Sequence, residues 1–256
     1  MVSCPDGGVV RLGVPKGSDD YVRTVLLTEL LADHLPHLPW YLRDLQCALE
    51  GCSADLERVC AALRASPTVC ENFIRIGSLA EPAEPICLPI DHLVVLLGKQ
   101  RAWTVAVAAF LLSEIDSTWA SVAKKEVAKL ALMRASNAAA RAKIEDGDAD
   151  QAYAAGVLFV AGLLPLVEAS GITDHVPEWI EVSAEAIEEQ RELFGTDFLE
   201  IDRWIGVIWR LPLEMTYSTV ELTPSQPLGK ENPYPVVLQG CDQGTRNLVL
   251  VSRGRL

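Results

Sequence analysis

The chain is poor in the residues from which catalytic and metal centres are most often built. Among its 256 residues there are four histidines, His34, His37, His92 and His175, and each precedes Leu or Val. A hydrolytic metal site needs imidazoles and carboxylates converging on one ion, so the supply is thin and no bound metal or other cofactor is expected. The seven cysteines include no C-x-x-C pair, which removes zinc-ribbon and thioredoxin-like readings. An odd set of scattered thiols fits a reducing, cytoplasmic setting, with Cys60 and Cys70 acting as small hydrophobes on apolar helix faces. There is no G-x-S-x-G elbow, no G-x-x-x-x-G-K-[ST] loop and no G-x-G-x-x-G fingerprint. Serine hydrolysis and the common nucleotide folds therefore lack their usual signatures.

Positive charge is scarce too. Lys and Arg number 22 against 35 Asp and Glu, a formal charge of −13, and such a surface repels phosphate backbones, so no nucleic-acid partner is expected. The first residues lack the basic start and apolar run of a secretory signal. The longest uncharged stretch, residues 151–167, is shorter than the ~20 residues that cross a bilayer, so it is expected to be a buried helix rather than a membrane span.

What the chain does have is apolar periodicity. Half of its residues are hydrophobic, enough to offset chain entropy over a sizeable core. Leu56, Val59, Cys60 and Leu63 follow helical spacing behind Ser53 as the expected N-cap. Ser66 and Pro67 read as a cap and first-turn pair for a helix with Val69, Phe73 and Ile76 inside. Ile90, Leu93, Val94 and Leu97 precede a stop at Gly98, and residues 102–112 are apolar nearly all round, as befits a core helix. Residues 118–143 predict one long helix ending at an acidic turn. Asp148 and Gln151 resemble a capping box for the buried helix that follows. Residues 178–192 predict a carboxylate-rich surface segment with Ile180, Ala184 and Ile187 inward. Phe198, Ile201, Ile205 and Ile208 mark the inner face of the last helix. Beyond Pro224 prolines break the pattern, and YPVVLQG and RNLVLVS predict a short C-terminal β-hairpin. The expected organisation is an extension over 1–34, helical subdomains over 35–115 and 116–224, and a tail over 225–256.

The order of these segments resembles the HDOD family, signalling domains related to HD-type metal phosphohydrolases. The likeness rests on LPHLPWYLRDLQ, on RASPTVCENFIRIGSL with Ser66, Pro67, Gly77 and Ser78, on ICLPIDHLVVLLG ending in Leu97 and Gly98, on AGVLFVAGLLPL, and on FGTDFLEIDRWIGVIWRLP with Trp209, Leu211 and Pro212. The resemblance implies an all-α, HD-like multi-helix bundle. It also implies that Phe159 and Val160 stand where the namesake His-Asp pair would be, that Phe198 stands at a second histidine, and that Ala135 stands at a third. Phe, Val and Ala offer a cation no lone pair, so these four positions are expected to form a vestigial, apolar pocket.

Two smaller patterns carry weaker messages. Lys124, Lys125, Lys129 and Arg134, continued by Arg141 and Lys143, line one predicted helix, either as a solvated face or as a docking stripe for an acidic partner. Asp146, Asp148 and Asp150 alternate like a calcium loop, but Gln151 and Val157 occupy the positions of its Gly and bidentate Glu, so a solvated turn is expected. The expected function is a non-catalytic signalling module acting through a protein partner or a small ligand. Two alternatives stand beside it: a phosphohydrolase with relocated ligands such as His92 and His175, and a protein that self-assembles through residues 236–238 and 248–251.

Overall fold

The computed structural model describes residues 27, 29–51, 55–80, 88–115, 120–145, 147–181 and 183–212, and among these every regular element is helical. The order is α1 (Trp40–Glu50), α2 (Leu56–Arg64), α3 (Pro67–Gly77) with a 3-10 turn (Ser78–Ala80), α4 (Ile90–Ile115), α5 (Val122–Ile144), α6 (Ala149–Leu158), α7 (Leu163–Ser170), a 3-10 turn (Glu178–Ile180), α8 (Ala184–Phe194) and α9 (Phe198–Ile208). The all-α expectation holds across this span. The expected hairpin, and with it residues 236–238 and 248–251, lies outside the described residues.

Side-chain caps set most of the helix starts. Ser66 accepts the Val69 N–H at 3.4 Å with Pro67 in the first turn, which is the arrangement its dipeptide predicts. Ser121, Ser183 and Asp197 cap α5, α8 and α9 in the same way. For α2 the cap is Asp55, which accepts the Arg58 N–H at 3.1 Å; the expected cap, Ser53, lies outside the described residues. Gly98 interrupts the helix at the position expected, with non-helical dihedrals between the two helical stretches that make up α4. It sits inside α4 with φ +69° and ψ 176°, a conformation that costs glycine little, so the chain bends there and continues as the apolar segment 102–112.

That segment of α4 is buried along its length, and α5 packs closely against α6. Their approach is limited by backbone, because a Cβ added at Gly156 would stand 2.6 Å from the Ala135 Cα. The buried stretch 151–167, expected as one helix, is two. The chain leaves α6 after Leu158, turns through residues 159–162 with i−3 hydrogen bonds such as Ala161 N–H to the Leu158 carbonyl at 2.9 Å, and resumes as α7. The turn lays Gly162 directly on the start of α9, where a Cβ would fall 2.1 Å from the Phe198 carbonyl oxygen.

By length and hydropathy α4 and the 149–170 stretch could each cross a membrane, but 67% and 83% of their most apolar windows are buried against the rest of the chain. Their apolarity is accounted for by the core. Buried side chains from α1 through α9 belong to one hydrophobic cluster, which runs across the expected boundary at residues 115–116.

Candidate functional site

The four positions expected to form a pocket lie deep in the interior. Ala135, Phe159, Val160 and Phe198 are each no more than 1% exposed. The backbone of Ala135 is the surface on which α6 rests at Gly156. Phe159 ends α6, its N–H still bonded to the Ala155 carbonyl at 2.9 Å. Phe198 begins α9, its N–H donating to Gln190 Oε1 at 2.9 Å while Gln190 Nε2 donates to the Trp179 carbonyl at 2.7 Å. A buried amide thus ties α8 and the preceding 3-10 turn to the start of α9, with its polar groups satisfied. The two phenylalanine rings meet edge to face, centroids 5.4 Å apart and planes at 72°, a favoured aromatic geometry. The interior between them is packed side chain.

Two charged residues enter this interior, and neither was expected there. Arg134, expected on the basic stripe, is fully buried, with its guanidinium carbon 3.6 Å from the centroid of the Phe159 ring. The correction follows from helical spacing: Arg134 is seven residues after Val127 and three after Ala131, both buried, so it shares their inward face. Asp202 is 7% exposed, and its Oδ1 accepts the Gly162 N–H at 2.8 Å. Its sequence signal was equally plain, four residues after Phe198 and three before Ile205. Burial pushes the Asp202 carboxyl well above the usual carboxylate range, while the Gly162 N–H and the positive charge of Arg134 pull it back down. Oδ2 of Asp202 is buried with no hydrogen-bond partner among the described residues.

The rest of the basic stripe faces outward. Lys125, Lys129, Arg141 and Lys143 are exposed, and the half-buried Lys124 forms an ion pair with Glu168 of α7. Other expectations for the helix faces shift by a residue or two. Asp148 makes no cap. It pairs instead with Arg101 of α4 at 3.1 Å, and Asp150, expected in a solvated turn, is fully buried beneath the same arginine. In α8 the buried residues are Ala186, Gln190 and Phe194, with Ala184 exposed. At the end of α9 Ile208 is half exposed, and the buried residue is Trp209 just past the helix, held by Trp103 Nε1 donating to its carbonyl at 3.0 Å.

The histidines stay apart from this interior. His34 and His37 line a surface cleft of about 390 Å³ with Asp33, Glu114, Lys124 and Glu168. His92 is exposed on α4, and His175 is exposed and bonded to its neighbour Asp174 at 2.8 Å. Among the described residues no three His, Cys, Asp or Glu side chains gather as metal ligands. Burial pushes the thiols of Cys60 and Cys70 up, which leaves them poor nucleophiles at neutral pH.

No protein-family profile matches the chain, and no curated protein does. Solved structures do. A candidate metal-dependent phosphohydrolase from Shewanella amazonensis superposes with a TM-score of 0.62 at 19% identity, covering 90% of this chain and 84% of its own. An HDOD domain protein of unknown function from Geobacter sulfurreducens gives 0.54 at 18% identity, covering 88% and 78%. The fold is that of HDOD and HD-type proteins. A candidate signal transduction protein from Marinobacter aquaeolei also matches, with a TM-score of 0.51 at 17% identity over 98% of this chain and 58% of its own.

An HD-type hydrolytic centre would call for a metal ion. The residues present do not fit one. Ala135, Phe159, Val160 and Phe198 have no donor atoms, the ring-to-ring contact occupies the space between α6 and α9, and the charged group lying on Phe159 is itself a cation. A divalent ion placed there would meet apolar carbon, a positive charge and the single Asp202 carboxyl where it requires several converging lone-pair donors.

Proposed function

We propose that this protein is a non-catalytic regulatory module of the HDOD type, acting in the cytoplasm through a protein partner or a small ligand. The observation that carries this reading is the filled interior: Phe159 packs on Phe198 at 5.4 Å with the Arg134 guanidinium on its other contact surface. An active site needs room for substrate and groups that stabilise developing charge. A close-packed aromatic pair supplies neither, while it does stabilise a fixed platform whose outer surface can be read by another molecule. Solved HDOD and signal transduction proteins of the same fold support a regulatory role at the level of architecture.

The test is direct. Purified full-length protein is incubated with Mn²⁺ or Mg²⁺, freed of excess ion, analysed for bound metal, and assayed against phosphomonoesters, nucleotides and cyclic dinucleotides. The expected result is no stoichiometric metal and no turnover. Stoichiometric metal accompanied by hydrolysis would overturn the proposal, and alanine substitution of His92 and His175 would then show whether relocated ligands hold it.

A further inference from the structure

Arg134 is out of keeping with its helix. The other buried residues of α5 are all apolar, Leu130 and Val127 among alanines such as Ala131, Ala135 and Ala138. An arginine remains charged at every pH a folded protein meets, and carrying that charge into a dry interior is costly unless the surroundings are built to receive it. Here they are. The guanidinium carbon lies 3.6 Å from the Phe159 centroid, and the Asp202 carboxyl, positioned by the Gly162 N–H, feels its charge. An aromatic face recognises a planar, weakly hydrated cation well.

The backbone around them is equally specialised. Gly156 lets α6 rest on the Arg134–Ala135 segment, with the Arg134 carbonyl carbon 3.0 Å from where a Cβ would be, and Gly162 lets the turn rest on α9. Three elements therefore meet here: α5 supplies the side chain, α6 ends with the ring beneath it, and α9 packs Phe198 against that ring.

We propose that the interior between α5, the α6–α7 turn and α9 is an organic-cation site whose occupant is the protein's own Arg134 guanidinium, seated on the Phe159 ring. The inference rests on the non-catalytic reading above and deepens it. Beside the positions that the family resemblance assigns to HD-type metal ligands, the chain holds a cation tethered to itself. A tethered cation is neither exchanged nor removed by chelators, so the domain keeps its shape whatever the supply of metal, a useful property in a platform that has to present a constant surface.

The test vacates the site in the full chain. Arg134→Ala should lower Tm by roughly 5–15 °C, as expected when one member of a buried charged cluster is removed. Low-millimolar guanidinium chloride should then recover part of the loss by binding the folded state, whereas NaCl at equal ionic strength should not, and Mn²⁺ should shift neither the variant nor the wild type. Adding Phe159→Leu to Arg134→Ala should weaken the guanidinium effect several-fold, because the ring is gone. Should Arg134→Ala fail to fold, the wild-type protein carries the measurement by NMR: one arginine Nε–H resonance, assigned to Arg134, should exchange slowly with water and lie upfield from ring shielding, moving toward its ordinary position in Phe159→Leu. Guanidinium that lowers the Tm of Arg134→Ala and wild type equally, or an Arg134 Nε–H that exchanges freely, would overturn the cation site while leaving the non-catalytic reading intact. Mn²⁺ that raises the wild-type Tm and brings turnover would overturn both.

Discussion

Arg101 and Arg134 both reach towards neighbouring helices, and the difference between them is instructive. Arg101, three residues beyond the bend at Gly98, lies at the edge of the core with 31% of its side chain exposed. It answers carboxylates with hydrogen bonds, Nη1 to Asp148 at 3.1 Å and Nε with Nη2 to both oxygens of the buried Asp150. Arg134 has no access to water, and its guanidinium carbon lies 3.6 Å from the centroid of an aromatic ring. At the edge, a bidentate ion pair fixes how α4 meets α6, with solvent sharing the cost of the charge. In the interior, a guanidinium fills volume as a flat, soft cation against a ring. A helix pattern that sorts residues into charged-outside and apolar-inside misreads both, since Asp150 is as deeply buried as Arg134.

The interior should break more sharply than the edge. Gly162→Ala places a Cβ 2.1 Å from the Phe198 carbonyl oxygen and 3.1 Å from the Asp202 nitrogen. The obstruction is backbone and cannot swing aside, so a loss on the order of 4 kcal/mol is expected in denaturant unfolding. A loss below about 1 kcal/mol would mean that the turn and α9 slide past each other freely, and the closely fitted interior described above would be wrong. At the edge, Arg101→Ala strands the fully buried Asp150, and a loss of about 3 kcal/mol is expected, measured in the same way. Asp150→Asn in that background should recover part of it, because the neutral amide removes the stranded charge. If the single change costs no more than about 0.5 kcal/mol, the Arg101 bridge behaves as an ordinary surface ion pair and the contrast is lost.

Much of this was legible in the sequence, and what was not has a common cause. Helix α3 followed from its Ser66–Pro67 cap and apolar spacing and α9 from the spacing of Phe198, Ile201 and Ile205, while α5 was expected as one long helix over 118–143, because local chemistry dominates where a helix starts and which face turns inward. The break at residues 159–162 was hidden because an uninterrupted apolar run carries no mark of a turn; it became visible only with α9 lying on Gly162. The site was half legible. Phe159 and Phe198 were singled out by their place in the segment order, and the structure brings them into contact. Arg134 was assigned to the surface because charge type outweighed position, although its spacing from Val127 and Ala131 pointed inward. Asp202 went unnoticed for the same reason, although it sits on the stripe of Phe198 and Ile205.

The smallest and most discriminating comparison concerns that carboxyl and proton linkage. Burial raises the Asp202 pKa well above its ordinary value, against the opposing pull of the Gly162 N–H and Arg134. A carboxyl in the unfolded chain releases its proton near pH 4, so above that pH the folded state holds a proton that the unfolded state has lost. Stability from this group is complete below about pH 4 and declines as pH rises toward the folded pKa. Asp44 and Asp174 are shifted the opposite way, lowered chiefly by hydrogen bonds to Arg58 and His175, so the raw pH profile of the protein mixes both signs. The difference between wild type and Asp202→Asn isolates one group. Thermal unfolding of the pair across the acidic to neutral range should show the wild type losing ground to the variant as pH increases, and Arg134→Met should steepen that trend by removing the charge that favours ionisation. A difference that stays flat across the range would place Asp202 in contact with water, and with it the boundary between the edge and the interior would have to move inward past α9.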